Sequence, residues 1–305
     1  MQAFAFLDLA HPPVAWAVMR GLLVSVKDVS PIESKGFVSF MLASMIEHEN
    51  NRRMFNEFVI EWIRATNFPK SVSRLQGMYF FRTRAEAEAR IGDESWPPYF
   101  RHENLLEVEL HLLEPPTVVD ANWITFAPLE RDGRILKGDL NWITRYWKGE
   151  PYNDAPVWEL ICSGKAVVLD TDVRRRCFAY AKEVFPHAHI PVLMARLAGE
   201  AGSRGGLITP FLLREDEEFI RLGYVSSNAE FNDPEVIAKI AQHPDSGYLG
   251  RLMFENETWA SPDFRPWGRL IRLGTQPVWD EVIPRFVSIH HARADCHRAT
   301  SRLYR

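Results

Sequence analysis

The sequence predicts an α+β fold in which a strand-rich central region, residues 71–170, is flanked by two mainly helical regions, residues 1–70 and 171–305. Apolar and charged residues alternate over 104–113, which indicates a half-buried strand. Apolar residues between 37 and 62 recur at helical spacing. A chain of 305 residues, 46% of them apolar and 25% charged, has the composition of a globular protein with a sizeable core.

The composition excludes several classes of protein. A net charge of −4 and a pI near 6.2 argue against a protein that coats nucleic acid. The three cysteines form no CxxC motif, so a disulfide framework is not expected. The expected location is the reducing cytoplasm. No apolar run approaches the ~20 residues of a membrane helix. Asp8 and the Pro12-Pro13 pair interrupt the apolar N-terminus, so no signal peptide is predicted.

The first region begins with apolar, strand-like pieces and then becomes helical. Ser30-Pro31 with Glu33 predicts a helix start, with a hydroxyl cap, proline at the first position and glutamate at the third. Helical spacing continues to about Thr66, and Pro69 ends it. This region is therefore predicted to be mainly helical.

The central region is predicted to alternate strands with two short helices. Thr83 to Glu86 is a capping-box pattern for one helix, and Asp139 is the predicted cap of another over 140–147. A Ser163-Gly164 pair between two apolar runs predicts a β-hairpin. The predicted strands cover residues 73–81, 104–113, 117–120, 157–162 and 165–169.

The third region is predicted to return to helix. Asp233-Pro234-Glu235 is a clear helix start, and the acidic run Glu215 to Glu218 is interpreted as a solvated helix face. The predicted helices cover residues 172–184, 190–199 and 234–242.

Arg74 is a candidate binding residue because it lies in the predicted strand 73–81. A guanidinium held on a strand suits a phosphate, since its fork binds bidentately and keeps its charge. Gly77 nearby allows close approach of a ligand to the backbone. The alternative is a surface arginine on an edge strand.

Glu159 is the candidate catalytic residue. Strand alternation places it on the same face as Val157 and Ile161, where a carboxylate needs a partner or a pocket. A carboxylate in such a place stabilises an oxocarbenium-like centre in glycosyl transfer. The alternative is a strand-end glutamate paired with lysine or arginine.

Aromatic residues offer further candidates for binding. Tyr79 and Phe80 fall on opposite faces of their strand, so one of them is expected to stack on a flat ring, while core packing is the alternative. Trp147, at the end of an aromatic helix and before a polar loop, is a candidate substrate contact or a core residue. Asp120 is interpreted as the start of an Asx-turn.

Metal binding is not predicted. His, Asp, Cys and His over 290–297 are possible ligands, but their spacing matches no known finger, and a surface helix or tail is the preferred interpretation. The motifs GxSxG, GxxxxGK[ST], GxGxxG and HExxH are absent from the sequence.

The order of parts in residues 71–170 resembles the ADP-ribosyltransferase fold. Ser73-Arg74-Leu75 looks like its arginine strand, Tyr79 to Ala87 like the following strand-to-helix step, and Tyr146 to Leu160 like the recognition loop leading to its glutamate. The Ser-Thr-Ser triplet is absent, and Val157 replaces the first residue of an ExE or QxE pair. The chain is therefore more similar to the branches with a single glutamate.

The resemblance implies a split β-sandwich core and an NAD-dependent ADP-ribosyltransferase or NAD glycohydrolase. NAD would be the substrate, Arg74 would hold it, Tyr79 or Phe80 would stack on a ring, and Glu159 would support cleavage. The acceptor is left open among protein, nucleic acid and small molecule, and some members of the superfamily are toxins or defence effectors. The alternative hypothesis is a non-enzymatic binding or assembly protein with an aromatic-rich surface.

Overall fold

The computed structural model describes residues 1–29, 36–48, 51–131, 133–136, 139–216, 218–254 and 260–272. Within these ranges the chain forms eleven α-helices and ten strands, and the strands make three antiparallel sheets. The α+β class predicted from the sequence is confirmed, whereas the ADP-ribosyltransferase-like core stays a prediction. The predicted helix start at Ser30 and the histidine-rich segment 290–297 lie outside the described residues.

The first sheet joins strands from the first and central regions of the sequence. Its order is β1 (Gln2–Phe6), β4 (Leu105–Leu112), β7 (Gly164–Val168) and β2 (Leu22–Val24). The predicted alternation in β4 is confirmed, since Leu106, Val108 and Leu110 are buried while Glu109 and His111 are exposed. Helices α1 (Pro12–Met19) and α8 (Thr171–Val184) contribute to the core on this sheet.

The second sheet is smaller and has β6 (Trp158–Cys162) as its central strand, between β3 (Met78–Phe80) and β5 (Thr117–Asp120). Its core includes Val119 and Ile161. Three helices pack residues into the same core: α4 (Asn51–Asn67), α6 (Asn122–Thr125) and α7 (Asn141–Trp147). Because β6 has a neighbour on each side, its side chains are held in a fixed register.

The hairpin predicted over 157–169 is wrong, because β6 and β7 belong to different sheets. Ser163 and Gly164 instead carry the chain from one sheet to the other. Gly164 has φ +138°, and a Cβ atom there would lie 2.2 Å from the carbonyl oxygen of His111. Its N–H donates to Ser25 Oγ at 2.8 Å, so the glycine is required by a close crossing and not by a tight turn.

The third sheet lies in the region predicted to be mainly helical, and its strands were missed. Its order is β10 (Arg269–Arg272), β9 (Phe219–Ser227) and β8 (Leu207–Arg214), and α3 (Phe40–Glu47) packs on it. The interpretation of the acidic run as a helix face is wrong. The Asp216 carboxylate accepts from the backbone N–H groups of Glu218 and Phe219, each at 2.8 Å, where β8 turns towards β9.

The remaining helices are α2 (Val26–Val29), α5 (Arg84–Glu88), α9 (His189–Glu200), α10 (Pro234–Gln242) and α11 (Ser246–Phe254). Of these, α5 and α10 begin at the signals predicted from the sequence. The capping box of Thr83 and Glu86 is confirmed by reciprocal bonds of 3.2 and 2.9 Å. The predicted Asp139 cap is wrong, because α7 follows Leu140 without any side-chain cap. None of the helices in the described ranges has the length and apolar character needed to cross a membrane.

Candidate functional site

A cavity of about 200 Å³ lies where residues of all three sheets approach each other. Its wall includes Phe6 from β1, Tyr79 from β3, Glu159 from β6 and Ile208 from β8. Arg74 is also part of the wall, so the structure brings Arg74 and Glu159 to one cavity although they are far apart in sequence. Apolar and aromatic side chains dominate this wall, as is usual for a pocket that binds a small molecule.

Arg74 lies in a turn, so the prediction of a continuous strand over 73–81 is wrong. The turn ends at Gly77, whose N–H donates to Ser73 O at 2.8 Å, and β3 begins only at Met78. A Cβ atom on Gly77 would lie 2.7 Å from Ile161 Cγ2. The turn is therefore pressed tightly against β6, and this packing cannot be read from alternation along one strand.

The guanidinium of Arg74 is held by three short hydrogen bonds inside the protein. Its Nε and Nη2 donate to the two carboxylate oxygens of Glu57 at 2.7 and 2.8 Å, and its Nη1 donates to Tyr146 Oη at 2.6 Å. The hydroxyl of Tyr79 donates to the carbonyl of Arg74 at 2.7 Å. Arg74 is 3% exposed, so it is a buried, bidentate ion pair and not a free cation at the surface.

The charge of Arg74 is fixed by these partners. Burial acts to lower the pKa of the guanidinium, but the Glu57 carboxylate, with Tyr146 and Tyr79, raises it well above its ordinary value. Removal of one member of such a pair leaves an uncompensated buried charge. The pair therefore anchors α4 to the turn that precedes β3.

Glu159 is placed quite differently, although its strand was predicted correctly. It lies in the central strand β6, opposite Val119 of β5, and it is half-buried where it meets the cavity. Its carboxylate accepts no hydrogen bond and joins no ion pair within the part of the chain that the structure describes. A carboxylate in such surroundings is costly to ionise, which is a common property of functional groups.

Burial raises the pKa of Glu159 to about 7. The positive charges of Arg74 and Arg53 act to lower this pKa, while the negative charges of Glu57 and Asp120 act to raise it. Near neutral pH both the protonated and the ionised form are therefore populated. This carboxyl group can bind a proton, release it, or stabilise positive charge that develops in the cavity.

Asp120 fixes the loop that leads to Glu159, and its predicted Asx-turn is confirmed. It is fully buried, and its carboxylate accepts from the backbone N–H groups of Asn122, Tyr152 and Val157 at 3.0, 2.8 and 2.9 Å. These bonds tie the start of β6 to the end of β5. Glu159 is thus presented by a rigid strand and not by a mobile loop.

The aromatic candidates divide between the cavity and the core. Tyr79 and Phe80 both line the cavity, although Phe80 is only 2% exposed. Trp147 lies elsewhere: its indole N–H donates to Ile60 O at 3.1 Å, and its ring is buried in the core of the second sheet. Trp147 is absent from the described lining of the cavity, and its surroundings match the core alternative.

The sequence reasoning missed Glu57, the partner of Arg74, and the aromatic residues of the loop after α5. Glu57 and Glu61 fall at helical spacing with the apolar residues Met54 and Phe58, and the structure buries both glutamates. This position on an apolar helix face was a usable signal, because buried glutamates need partners. Phe100 stacks on Phe6 with ring centroids 4.2 Å apart, and both line the cavity. No periodic pattern marks that loop, so only the fold reveals its position.

Within the described ranges no cluster of three or more His, Cys, Asp or Glu residues is arranged to hold a metal ion. Comparison of the chain with protein-family models, with curated proteins and with solved structures gives no significant match. The function must therefore be inferred from the cavity and its chemistry.

Proposed function

We propose that the cavity binds the nicotinamide end of NAD and that Glu159 promotes cleavage of the bond between nicotinamide and ribose. The observation that carries this proposal is the Glu159 carboxylate, unpaired among the described residues and held on a rigid strand at an aromatic-lined cavity. A half-buried carboxylate in such a place favours a positively charged ligand or transition state. NAD offers both, because its nicotinamide ring is cationic and its departure leaves an oxocarbenium-like ribose.

In this reaction the C1′–N bond breaks and its electron pair leaves with nicotinamide, which departs as a neutral molecule. The ionised Glu159 stabilises the positive ribosyl centre that develops as the bond lengthens. An acceptor then forms the new bond at C1′ and loses a proton. Water as acceptor gives an NAD glycohydrolase, and another nucleophile gives an ADP-ribosyltransferase.

The other wall residues receive supporting roles in this proposal. Of the two aromatic candidates, we assign Tyr79 the surface against which the nicotinamide ring packs, because Phe80 is only 2% exposed. Arg74 was expected to grip NAD directly, but Glu57 and Tyr146 already accept its hydrogen bonds. We infer that Arg74 acts as a positioning residue, which holds Tyr79 through its carbonyl and adds a fixed positive charge near Glu159.

The test is release of nicotinamide from NAD by the purified full chain, measured by chromatography for the native protein and for Glu159→Gln. We expect the variant to lose ~10²–10³-fold in rate, the scale for removal of one electrostatic stabiliser of a transition state. Glu109→Gln is the matched control, because Glu109 is an exposed glutamate on a strand of the first sheet. A Glu159→Gln protein that is folded and fully active would exclude the assigned role.

A second candidate function, non-enzymatic binding of a partner, is favoured by one observation outside the cavity. Phe126 and Tyr152 are 54% and 37% exposed, and their rings stack with centroids 5.6 Å apart. Exposed aromatic pairs of this kind are enriched at interfaces. This candidate predicts no change in melting temperature with NAD, whereas a ligand that binds the native state raises it.

A further inference from the structure

The segment before α1 brings a histidine and a carboxylate to the cavity that the reaction proposed above does not use. His11 and Asp8 both line the cavity, and the backbone N–H of His11 donates to the carbonyl of Asp8 at 3.1 Å. Burial raises the pKa of Tyr99 on the same wall to about 12, and the negative charges of Asp8 and Glu159 both contribute. The two carboxylates therefore act on one part of the cavity, and His11 is held beside one of them.

His11 is paired with Glu47, the last residue of α3. Its Nε2 atom lies 2.7 Å from Glu47 Oε2, at the distance of an ion pair but without the alignment of a hydrogen bond. Catalytic hydrogen bonds are often poorly aligned without substrate and tighten when it binds. The other ring nitrogen, Nδ1, has no hydrogen-bond partner among the described residues. Contact with the carboxylate favours a proton on Nε2, which leaves the lone pair of Nδ1 available as a base.

Tyr224 of β9 fixes the carboxylate that orients His11. Its hydroxyl donates to Glu47 Oε1, and burial together with this carboxylate holds the pKa of Tyr224 well above its ordinary value. The hydroxyl therefore remains a donor. The side chains of His11 and Glu47 are only 15% and 9% exposed, so the three groups form a shielded polar cluster. A base oriented by a partner that is itself held in place is a recurrent catalytic arrangement.

We propose that His11 is the general base of this site and that the acceptor is a hydroxyl group, that of water or of an alcohol. The inference rests on the proposed function, in which Glu159 stabilises the ribosyl centre and no group is assigned the proton of the acceptor. Hydroxyl acceptors need such a base, because they are weak nucleophiles until they lose the proton.

The proton and the electron pairs can be followed through this step. The electron pair of the C1′–N bond leaves with nicotinamide, as above. The oxygen of the acceptor forms the new bond to C1′ while its O–H bond breaks, and the proton passes to Nδ1 of His11. Glu47 is a positioning residue, which holds the ring and stabilises the imidazolium that results.

Added azide tests this role, because azide is an anion that attacks C1′ without losing a proton. Chromatography measures nicotinamide release and the ADP-ribosyl products of the full chain with water, methanol or azide as acceptor. We expect His11→Ala to lose at least ~10²-fold in rate with water and methanol, the scale of general-base catalysis. Azide should restore most of this rate and give ADP-ribosyl azide. Glu159→Gln should stay slow with azide, because it lacks the stabilisation of the ribosyl centre.

Glu47→Gln tests the positioning residue, since it keeps the size of the side chain but cannot stabilise an imidazolium by charge. We expect a smaller loss of ~10-fold with water and methanol, again restored by azide. His111→Ala is the matched control, because His111 is an exposed histidine 3.9 Å from Glu109 and lies outside the described lining of the cavity. It should match the native protein with all three acceptors, and melting curves establish that each variant is folded.

Failure of this inference can be told apart from failure of the proposed function. If the native protein cleaves NAD and His11→Ala does so at the native rate with water, His11 is not the base and the reaction stands. A slow His11→Ala that azide does not restore would assign the histidine a structural role and overturn the inference as well. If the native protein does not cleave NAD, the proposed function and the role of His11 are both wrong.

Discussion

Arg74 and Glu159 line the same cavity, yet their surroundings differ in every respect that decides the role of a charge. Arg74 donates three hydrogen bonds to Glu57 and Tyr146 and is almost fully enclosed. Glu159 accepts none among the described residues and faces the cavity. The arginine is held in one state of charge, whereas the glutamate titrates near neutral pH with a pKa of about 7.

This difference indicates that the charge of Arg74 has a structural role, whereas the charge of Glu159 is available for chemistry in the cavity. A buried ion pair with good geometry is needed for the stability of the fold, because either partner alone would be an uncompensated charge. An unpaired carboxylate on a rigid strand destabilises the fold when it is ionised, and such groups persist where chemistry requires them. Stability measurements on the two residues should therefore give effects of opposite sign.

The largest expected effect is destabilisation by Arg74→Ala. Loss of the guanidinium leaves the Glu57 carboxylate buried without its partner, and such losses cost about 3–5 kcal/mol. Chemical denaturation of the native and variant proteins measures this difference. In the double variant Arg74→Met with Glu57→Met, most of the loss should be recovered, because neither charge remains. Native-like stability of Arg74→Ala would show that the pair is not closed in solution.

Glu159→Gln should have the opposite sign and depend on pH. The pKa of Glu159 is raised to about 7 from 4.5 in the unfolded chain, so the folded state binds more protons between these values. Stability is therefore fully retained below pH 4.5 and is lost as the pH rises towards 7. Removal of the ionisable group should stabilise the protein by about 2–3 kcal/mol at pH 8 and by much less at pH 4.5.

Denaturation curves at both pH values measure this effect, and Glu109→Gln should show little change at either. A Glu159→Gln protein that is less stable than the native protein at pH 8 would mean that the carboxylate has partners after all. If Glu159→Gln loses turnover and gains stability, the residue shows the trade-off between stability and activity that is expected of a catalytic group.

The sequence predicted a helix, strand or turn well where its formation depends only on neighbouring residues. The alternation over β4, the capping box at Thr83 and the proline start of α10 all have their causes within a few residues. The Asx-turn at Asp120 has the same character. Each of these signals determines one face of a strand or one end of a helix, so it can be recognised in the sequence without knowledge of the tertiary structure.

Contacts between distant segments could not be predicted in this way. Ser163-Gly164 has the composition of a hairpin turn, but the approach of the His111 carbonyl, which only tertiary structure brings there, makes it a crossing between sheets. The third sheet was missed because β8 is largely buried and its apolar run does not alternate. Glu159 was singled out as one polar residue on an apolar face, and its catalytic role stays a prediction. Arg74 was given the wrong kind of partner, since Glu57 binds it.

The smallest expected effect concerns Tyr146, which accepts the third hydrogen bond of Arg74. Tyr146→Phe removes the acceptor of the Arg74 Nη1 bond but leaves the bidentate pair with Glu57 intact. We expect a loss of about 1–2 kcal/mol, the scale of one hydrogen bond to a charged group, measured by chemical denaturation. Tyr79→Phe is the matched control, because its hydroxyl donates to a backbone carbonyl and not to the guanidinium. If Tyr146→Phe cost as much as Arg74→Ala, the hydroxyl and not Glu57 would be the main anchor of the arginine. The distinction between Arg74 as a charge fixed by an ion pair and Glu159 as a charge available for chemistry would then not hold.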